Sequence, residues 1–222
     1  MASLYGRWDE ARELAGAFIA ECEAGSPHYL EASVRRERAL ILLGRGDAGA
    51  LAEHERAIAL ARDVGDPQMV LPNLGAATGA FEALARHDDA RELAVEVVAL
   101  ARSYPQVAVT TLPLEFLLTR VALEFVPDLR EAFGEAPPWP WKDIAFACLD
   151  RDFVRGAEIW SNAGIPTSAA RYRLRAAEEL VEAGRRAEGE EQAAQALAFY
   201  RVVRATFYVE RCEALLREAE SA

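Results

Sequence analysis

Small and apolar residues recur four positions apart in several segments of the chain. The pairs Phe18 and Cys22, Val97 and Ala101, and Ala196 and Tyr200 are examples. This spacing places both members of a pair on one face of an α-helix. The pattern predicts an all-α protein of about ten or eleven helices, with one short, turn-rich helix at 128–133. The main expected helices cover 8–23, 27–43, 47–64, 67–85, 88–103, 113–125, 141–149, 153–162, 167–183, 187–203 and 206–219.

Proline and glycine mark several of the expected helix ends. The tripeptides Gly25-Ser26-Pro27 and Gly65-Asp66-Pro67 each place a proline behind a residue suited to cap a helix amino terminus. Each of these prolines is therefore predicted to begin a helix. By contrast, three prolines lie between positions 137 and 140. A helix interior does not accommodate them, so residues 136–140 are predicted to form an irregular connector.

A short pattern, in which a small or polar turn leads into an alanine-rich helix, recurs along the chain. Its copies begin at Gly6, Gly44, Ala85, Arg151 and Gly184, which gives separations of 38, 41, 66 and 33 residues. The last separation is close to the tetratricopeptide period of about 34 residues. The sequence therefore predicts a solenoid of antiparallel helical hairpins in a right-handed superhelix. We divide it into repeats at 1–105, an irregular connector at 106–140, and closing repeats at 141–222.

The amino-terminal end of this predicted array lacks half a hairpin. The helix that begins at Trp8 corresponds to the second helix of a repeat, and its partner is reduced to the first few residues. A repeat needs a neighbour on each side or a polar cap. We therefore expect either a longer protein or a partner chain that docks on an apolar face at Trp8, Leu14 and Phe18. Burial of Trp8 within the chain would exclude that face.

Charge and cysteine content narrow the classes of partner. The formal net charge of −11 argues against a nucleic-acid partner, because phosphate binding needs a basic surface. The three cysteines, Cys22, Cys148 and Cys212, are far apart and odd in number, which favours a reducing cytoplasm over a disulfide framework. Charged residues interrupt the most hydrophobic window, so no membrane span is predicted.

No motif in the sequence predicts catalysis, a metal or a cofactor. His54-Glu55 begins like a zinc-protease motif, but Ile58 occupies the position of the second histidine. Lys142 is the only lysine, and no phosphate-binding loop of the G-x-x-x-x-G-K-[ST] type is present. We therefore expect a binding protein that is not an enzyme.

The expected binding surface is the concave groove of the solenoid, which the first helix of each hairpin lines. Its candidate residues are polar side chains on those helices: Arg35, Arg38, Asn73, Glu82, Arg171 and Glu178. Arginines in an acidic protein can hold a carboxylate or an acidic peptide through paired hydrogen bonds. In the alternative interpretation, they form ion pairs with neighbouring acids such as Glu31, Glu37 or Glu179.

The carboxyl-terminal third carries a more specific resemblance. The residues that carry it include Arg151-Asp152-Phe153, Glu158-Ile159-Trp160, Asn162-Ala163-Gly164, Gly184-Arg185-Arg186-Ala187-Glu188 and Ala196-Leu197-Ala198-Phe199-Tyr200-Arg201. This run resembles the carboxyl-terminal tetratricopeptide region of large bacterial signalling proteins that couple a class III nucleotide cyclase or a LuxR-type transcription-factor domain to an ATPase of the STAND class. Gly156 and Gly189 depart from that pattern, where alanine is usual.

The resemblance implies a non-catalytic regulatory module that contacts a protein or peptide partner, such as an ATPase, cyclase or transcription-factor domain. The runner-up is a stand-alone sensor that binds a peptide or a small molecule in its groove. A monomeric chain with a bound metabolite would favour the sensor, and an upstream reading frame that encodes an ATPase would favour the module.

Overall fold

All regular structure in the described part of the chain is helical. The computed structural model describes residues 2–111, 115–134 and 141–220, which hold twelve α-helices and three short 3₁₀ segments and contain no strand. The α-helices are α1 (Trp8–Glu23), α2 (Glu31–Gly44), α3 (Ala50–Val64), α4 (Pro67–Ala83), α5 (His87–Ser103), α6 (Pro105–Thr111), α7 (Val126–Gly134), α8 (Lys142–Leu149), α9 (Phe153–Asn162), α10 (Pro166–Glu182), α11 (Arg186–Val202) and α12 (Thr206–Glu220). The 3₁₀ segments are Ala2–Tyr5, Phe116–Leu118 and Val121–Phe125. The prediction of an all-α protein is confirmed.

The two proline signals have different outcomes. Asp66 accepts a hydrogen bond from the backbone N–H of Gln68, and Pro67 begins α4 as predicted. Pro27 does not begin a helix, and that prediction was wrong. The Nδ1 atom of His28 accepts the N–H of Leu30 at 3.0 Å, which holds a turn there and delays the start of α2 to Glu31.

The middle of the chain departs most from the predicted helices. Helix α6 was not predicted, and the stretch expected to be one helix over 113–125 holds two 3₁₀ segments from Phe116 onwards. The hydroxyl of Thr119 accepts the N–H of Ala122 and donates to the carbonyl of Phe116, so it competes locally with helical hydrogen bonds. The expected helix start at Pro113 and the irregular connector at 136–140 lie outside the described residues.

Successive helices pack against each other, and glycine sets the closest approaches. At Gly156 in α9, an added Cβ would lie 2.5 Å from the ring of Tyr172 in α10. At Gly189 in α11, it would lie 2.8 Å from Val181 and 3.1 Å from the carbonyl oxygen of Ala177. These two glycines, which depart from the resembled pattern, are therefore required by this packing.

The two ends of the helix series also pack against each other. Helix α12 contacts α2, and the amino-terminal segment Ala2–Tyr5 packs on α10. Their shared core contains Trp8, Ile41, Leu174, Tyr200, Tyr208 and Cys212, which come from both ends of the chain. Because the last helix returns to the second, the series of helices closes on itself.

Polar contacts also join the two ends of the helix series, and we call this contact region the closure. The indole N–H of Trp8 lies 3.2 Å from the carbonyl oxygen of Ser3 and 3.3 Å from the hydroxyl of Thr167. The hydroxyl of Thr206 donates to the carbonyl oxygen of Arg45 at 2.7 Å. Asp9 pairs with Arg45 at 2.6 Å and also with Arg204. The first residues of α1 are therefore covered by the chain's own carboxyl-terminal helices.

Candidate functional site

A cavity of about 220 Å³ lies between several of the helices. Its walls come from α2, α4, α10 and α12, together with His87 of α5 and the residues around the 3₁₀ segment Phe116–Leu118. Helices that are distant in sequence meet here because the series closes. The cavity is the strongest candidate site, since ligand sites are typically concave and combine apolar walls with a few convergent polar groups.

One side of this central cavity is apolar. Leu40 and Leu43 of α2 and Ala76 and Ala80 of α4 line it, and Leu174 of α10 completes it. All of these except Leu40 are buried. Because the alanine side chains on α4 are small, open space remains between α2 and α4. This wall offers contact to hydrocarbon groups.

The opposite side is strongly charged. Arg171, Arg175 and Glu178 project from one face of α10, because spacings of three, four and seven residues share a helix face. Arg211 of α12 and Arg120 complete the charged lining. Arg171 lies deep, with 11% of its side chain exposed, whereas the side chain of Arg211 is 39% exposed.

The carboxylates of the cavity wall are engaged by the protein itself. Glu82 accepts the backbone N–H groups of Arg120 and Val121, both at 2.9 Å. Glu178 pairs with Arg211 and, at 3.5 Å, with Arg175.

A further pair of the wall joins Arg171 to Glu115 at 2.5 Å. Burial opposes the charge on Arg171, but the carboxylate of Glu115 raises the pKa of the guanidinium above its ordinary value. Arg171 therefore stays cationic in the interior.

A second cavity of about 160 Å³ adjoins the first. Leu40, Ala76, Glu115 and Arg171 line both cavities, so the Arg171–Glu115 pair lies at their boundary. The far side of the second cavity is formed at the closure, by residues such as Trp8.

The structure separates the six predicted groove residues into two groups. Glu82, Arg171 and Glu178 line the central cavity together. Arg35 and Arg38 instead point to a cluster of acids, where each lies 3.0 Å from Glu53. Arg35 also pairs with Glu23 at 2.7 Å and Glu31 at 2.8 Å, and the alternative interpretation named the last of these.

Asn73, the sixth groove residue, is buried within α4. Its side-chain amide donates to the carbonyl oxygen of Met69 at 2.7 Å. Asn73 does not line either of the two cavities described above.

The docking face expected at Trp8, Leu14 and Phe18 is corrected by the structure. Trp8 is 2% exposed and packs in the closure core, so it is not available to a partner. Leu14 is 60% exposed, and Phe18 packs edge-on against the ring of His28 at 5.2 Å between centroids. The three residues therefore do not form one exposed apolar face.

Several cavity residues were missed from the sequence. Arg175 and Arg211 line the cavity, as do Glu115, Arg120 and Tyr208. Arg175 shares its helix face with the predicted Arg171 and Glu178, so helical spacing was a signal that could have found it. No such local signal points to the other four, because the closure and the 3₁₀ segments bring them to the site.

The three cysteines are free and buried. Burial raises the pKa of both Cys148 and Cys212 to about 12, so their thiols are protonated at neutral pH. Among the described residues, no group of three or more histidine, cysteine, aspartate or glutamate side chains is arranged to hold a metal ion. Within the same ranges, no helix is both long enough and apolar enough to cross a membrane.

Comparisons with known proteins add no assignment. No protein-family model matches the chain, and no curated protein matches it.

Proposed function

We propose that the chain is a non-catalytic regulatory module of the tetratricopeptide type that binds a small molecule in the central cavity. The observation that carries the proposal is the convergence of four arginines and an apolar wall on one cavity, which helices from both ends of the chain line. This is the sensor interpretation of the sequence. Successive antiparallel hairpins with a left-handed glycine turn, as at Gly184, support the tetratricopeptide assignment.

The size of the cavity favours a small molecule over a peptide. A volume of about 220 Å³ lies below the roughly 300–1,000 Å³ of pockets that bury drug-sized ligands. Contacts also link the elements around the cavity, since the exposed side chain of Arg120 pairs with Glu182 of α10 and Glu82 of α4 accepts the backbone N–H of Val121. An extended peptide would need an open groove, which these contacts interrupt.

A ligand in this cavity would contact both ends of the helix series at once. It would bridge α2 and α4 on one side and α10 and α12 on the other. A molecule that binds only the closed form stabilises that form by mass action. We propose that this change is passed to a protein partner or to an effector domain.

The test is a thermal-shift screen of small anionic, neutral and cationic metabolites on the full chain. A true ligand at 100 times its Kd adds about 2.7 kcal/mol and raises Tm by roughly 5–10 °C. Gly79→Leu should abolish the shift, because Gly79 lines the cavity and a Cβ there meets only Thr119, at 3.7 Å.

Gly16→Leu is the matched control for this screen. Gly16 lies in α1, where an added Cβ meets nothing within 4 Å, and it does not line the cavity. Both variants replace a helical glycine with leucine. If every compound acts alike on wild type and Gly79→Leu, the cavity is not a ligand site and the proposal fails.

A second function, contact with a protein partner, is favoured by apolar side chains that are exposed on α1 and α11. Val202 at the end of α11 is 80% exposed, and Leu14 of α1 is 60% exposed. The resemblance suggests an ATPase, cyclase or transcription-factor domain as partner, in the cytoplasm. Co-purification from the native host should lose that partner on Val202→Glu. Retention of the partner by Val202→Glu would remove this surface from consideration.

A further inference from the structure

We infer that the ligand of the central cavity is a small amphipathic anion. Its carboxylate or phosphate head is bound by Arg171, Arg211 and the hydroxyl of Tyr208, and its hydrocarbon body lies against the leucines of α2 and the alanines of α4. The inference rests on the proposed function and names the ligand class for that site.

The first support is an excess of hydrogen-bond donors in the wall. A guanidinium carries five N–H donors and no acceptor. The Nε atoms of Arg171 and Arg175 are buried without a hydrogen-bond partner. The carboxylates that could accept are already engaged by arginines or backbone N–H groups. A ligand that brings acceptor oxygens would bind the accessible N–H groups of these arginines, whereas a cationic ligand would have to compete with arginines or backbone N–H groups for the carboxylates.

The second support is charge. The cavity is lined by four arginines, which are Arg120, Arg171, Arg175 and Arg211, and by three glutamates, which are Glu82, Glu115 and Glu178. Arginines thus outnumber glutamates among the lining residues of a protein of net charge −11, and Glu179 and Glu182, which pair with Arg175 and Arg120, are not among those lining residues. Guanidinium groups match carboxylate and phosphate geometry, and such charge-assisted hydrogen bonds are stronger than neutral ones.

The third support is the position of Tyr208. It lies in α12 next to Arg211 in the cavity wall, and its ring stacks on Tyr200 at 4.8 Å between centroids. Its phenolic hydroxyl can donate a hydrogen bond to a ligand oxygen. Stacking holds the ring in place before the ligand arrives.

The apolar wall explains why the anion should carry a hydrocarbon body. Leu40, Leu43, Ala76, Ala80 and Leu174 form a surface that offers no hydrogen bonds from side chains. Water molecules in contact with this surface form no hydrogen bonds to its side chains. Each methylene group that a ligand buries there therefore favours binding. Lengthening the chain should therefore tighten binding about fourfold per methylene until the wall is covered.

The probes are four six-carbon compounds with different heads: hexanoate, hexyl phosphate, hexanol and hexylamine. Their affinities are measured by isothermal titration on the full chain, with butanoate and octanoate as a length series. We expect both anions to bind, and the ratio of their affinities identifies the preferred head group. The alcohol and the amine should bind at least tenfold more weakly than the anions.

Two variants test the named residues. Arg211→Gln should weaken anion binding about tenfold or more, because it removes a charge-assisted hydrogen bond at a partly exposed position. Tyr208→Phe keeps the ring and should weaken binding about two- to tenfold. The control Arg201→Gln also removes an arginine that pairs with glutamate, but outside the cavity, and should leave binding unchanged.

The outcomes separate the inference from the proposed function. If hexanol or hexylamine binds as tightly as hexanoate and Gly79→Leu abolishes that binding, the site is real and the anion class is wrong. If the anions bind equally to wild type, Arg211→Gln and Arg201→Gln, the named head site is wrong. If Gly79→Leu binds every probe and every screened metabolite as wild type does, the proposed function fails as well.

Discussion

At the scale of single residues, the most unusual side chain is His54 of α3. It is completely buried, and neither ring nitrogen has a hydrogen-bond partner. Burial, reinforced by the positive charges of Arg36 and Arg171, lowers the pKa of His54 to about 3. The folded chain therefore keeps this imidazole neutral far below the pH at which an unfolded chain protonates it.

This difference predicts a loss of stability in mild acid. The unfolded state binds a proton at His54 below about pH 6.5, and the folded state does not do so until about pH 3. Stability is thus fully present above pH 6.5 and falls by about 1.4 kcal/mol per pH unit below it, or about 2 kcal/mol between pH 7 and pH 5. Urea unfolding at both pH values measures it.

His54→Leu isolates this contribution. The carboxylates titrate alike in both proteins, so the stability of wild type relative to the variant should decline by about 2 kcal/mol from pH 7 to pH 5. A difference that does not change with pH would contradict the neutral, buried state of His54.

The side chains at the candidate site show what local sequence could and could not predict. The pairing of Arg35 with Glu31 follows from their spacing of four residues on α2. The pairing of Arg171 with Glu115 joins residues 56 positions apart and depends on a 3₁₀ region whose backbone follows no helical period. Helical spacing therefore found part of α10's cavity face but not the residues that meet it.

At the scale of elements, most helices could be predicted because small and apolar residues recur at helical spacing within them. Helix α1 and α9 occupy the expected ranges 8–23 and 153–162. Two of the errors lie where side chains bind the backbone locally, at His28 and Thr119, because a single such hydrogen bond moves or interrupts a helix without changing the apolar pattern.

The approach of α9 to α10 provides the second prediction. Gly156→Ala should destabilise the chain by about 1–3 kcal/mol, because the new methyl group would overlap the ring of Tyr172. That ring is 1% exposed, and its hydroxyl lies 3.3 Å from the sulfur of Cys148, so it has no room to move. Chemical denaturation of the purified variant measures the effect.

Gly16→Ala is the matched control for Gly156→Ala. An added Cβ at Gly16 meets nothing within 4 Å, so the change should instead stabilise α1 by about 0.5–1 kcal/mol through its helix propensity. Equal effects of the two substitutions would show that propensity, and not the contact with Tyr172, decides the cost.

At the scale of the whole molecule, the closure could not be predicted from local patterns. The short segment before α1 resembles half of a missing repeat, which led to an expected docking face for another chain. The indole of Trp8 instead reaches Thr167, 159 positions away. A contact of that separation leaves no periodic trace in the sequence, and only the folded chain shows which surface covers the first helix.

The closure leads to the last prediction, which concerns how the two ends stabilise each other. Trp8→Ala should lower the free energy of unfolding by about 3–5 kcal/mol, because it removes a large buried ring from a core shared by α2, α10, α11 and α12. Amide hydrogen exchange should accelerate in α12 and α2, since these helices lose their mutual support. Trp141→Ala is the control, because Trp141 is partly exposed and packs on Trp160 away from the closure core. Its effect should be smaller and should leave exchange in α2 unchanged. If both variants accelerate α2 and α12 equally, the ends of the chain do not act as one cooperative unit.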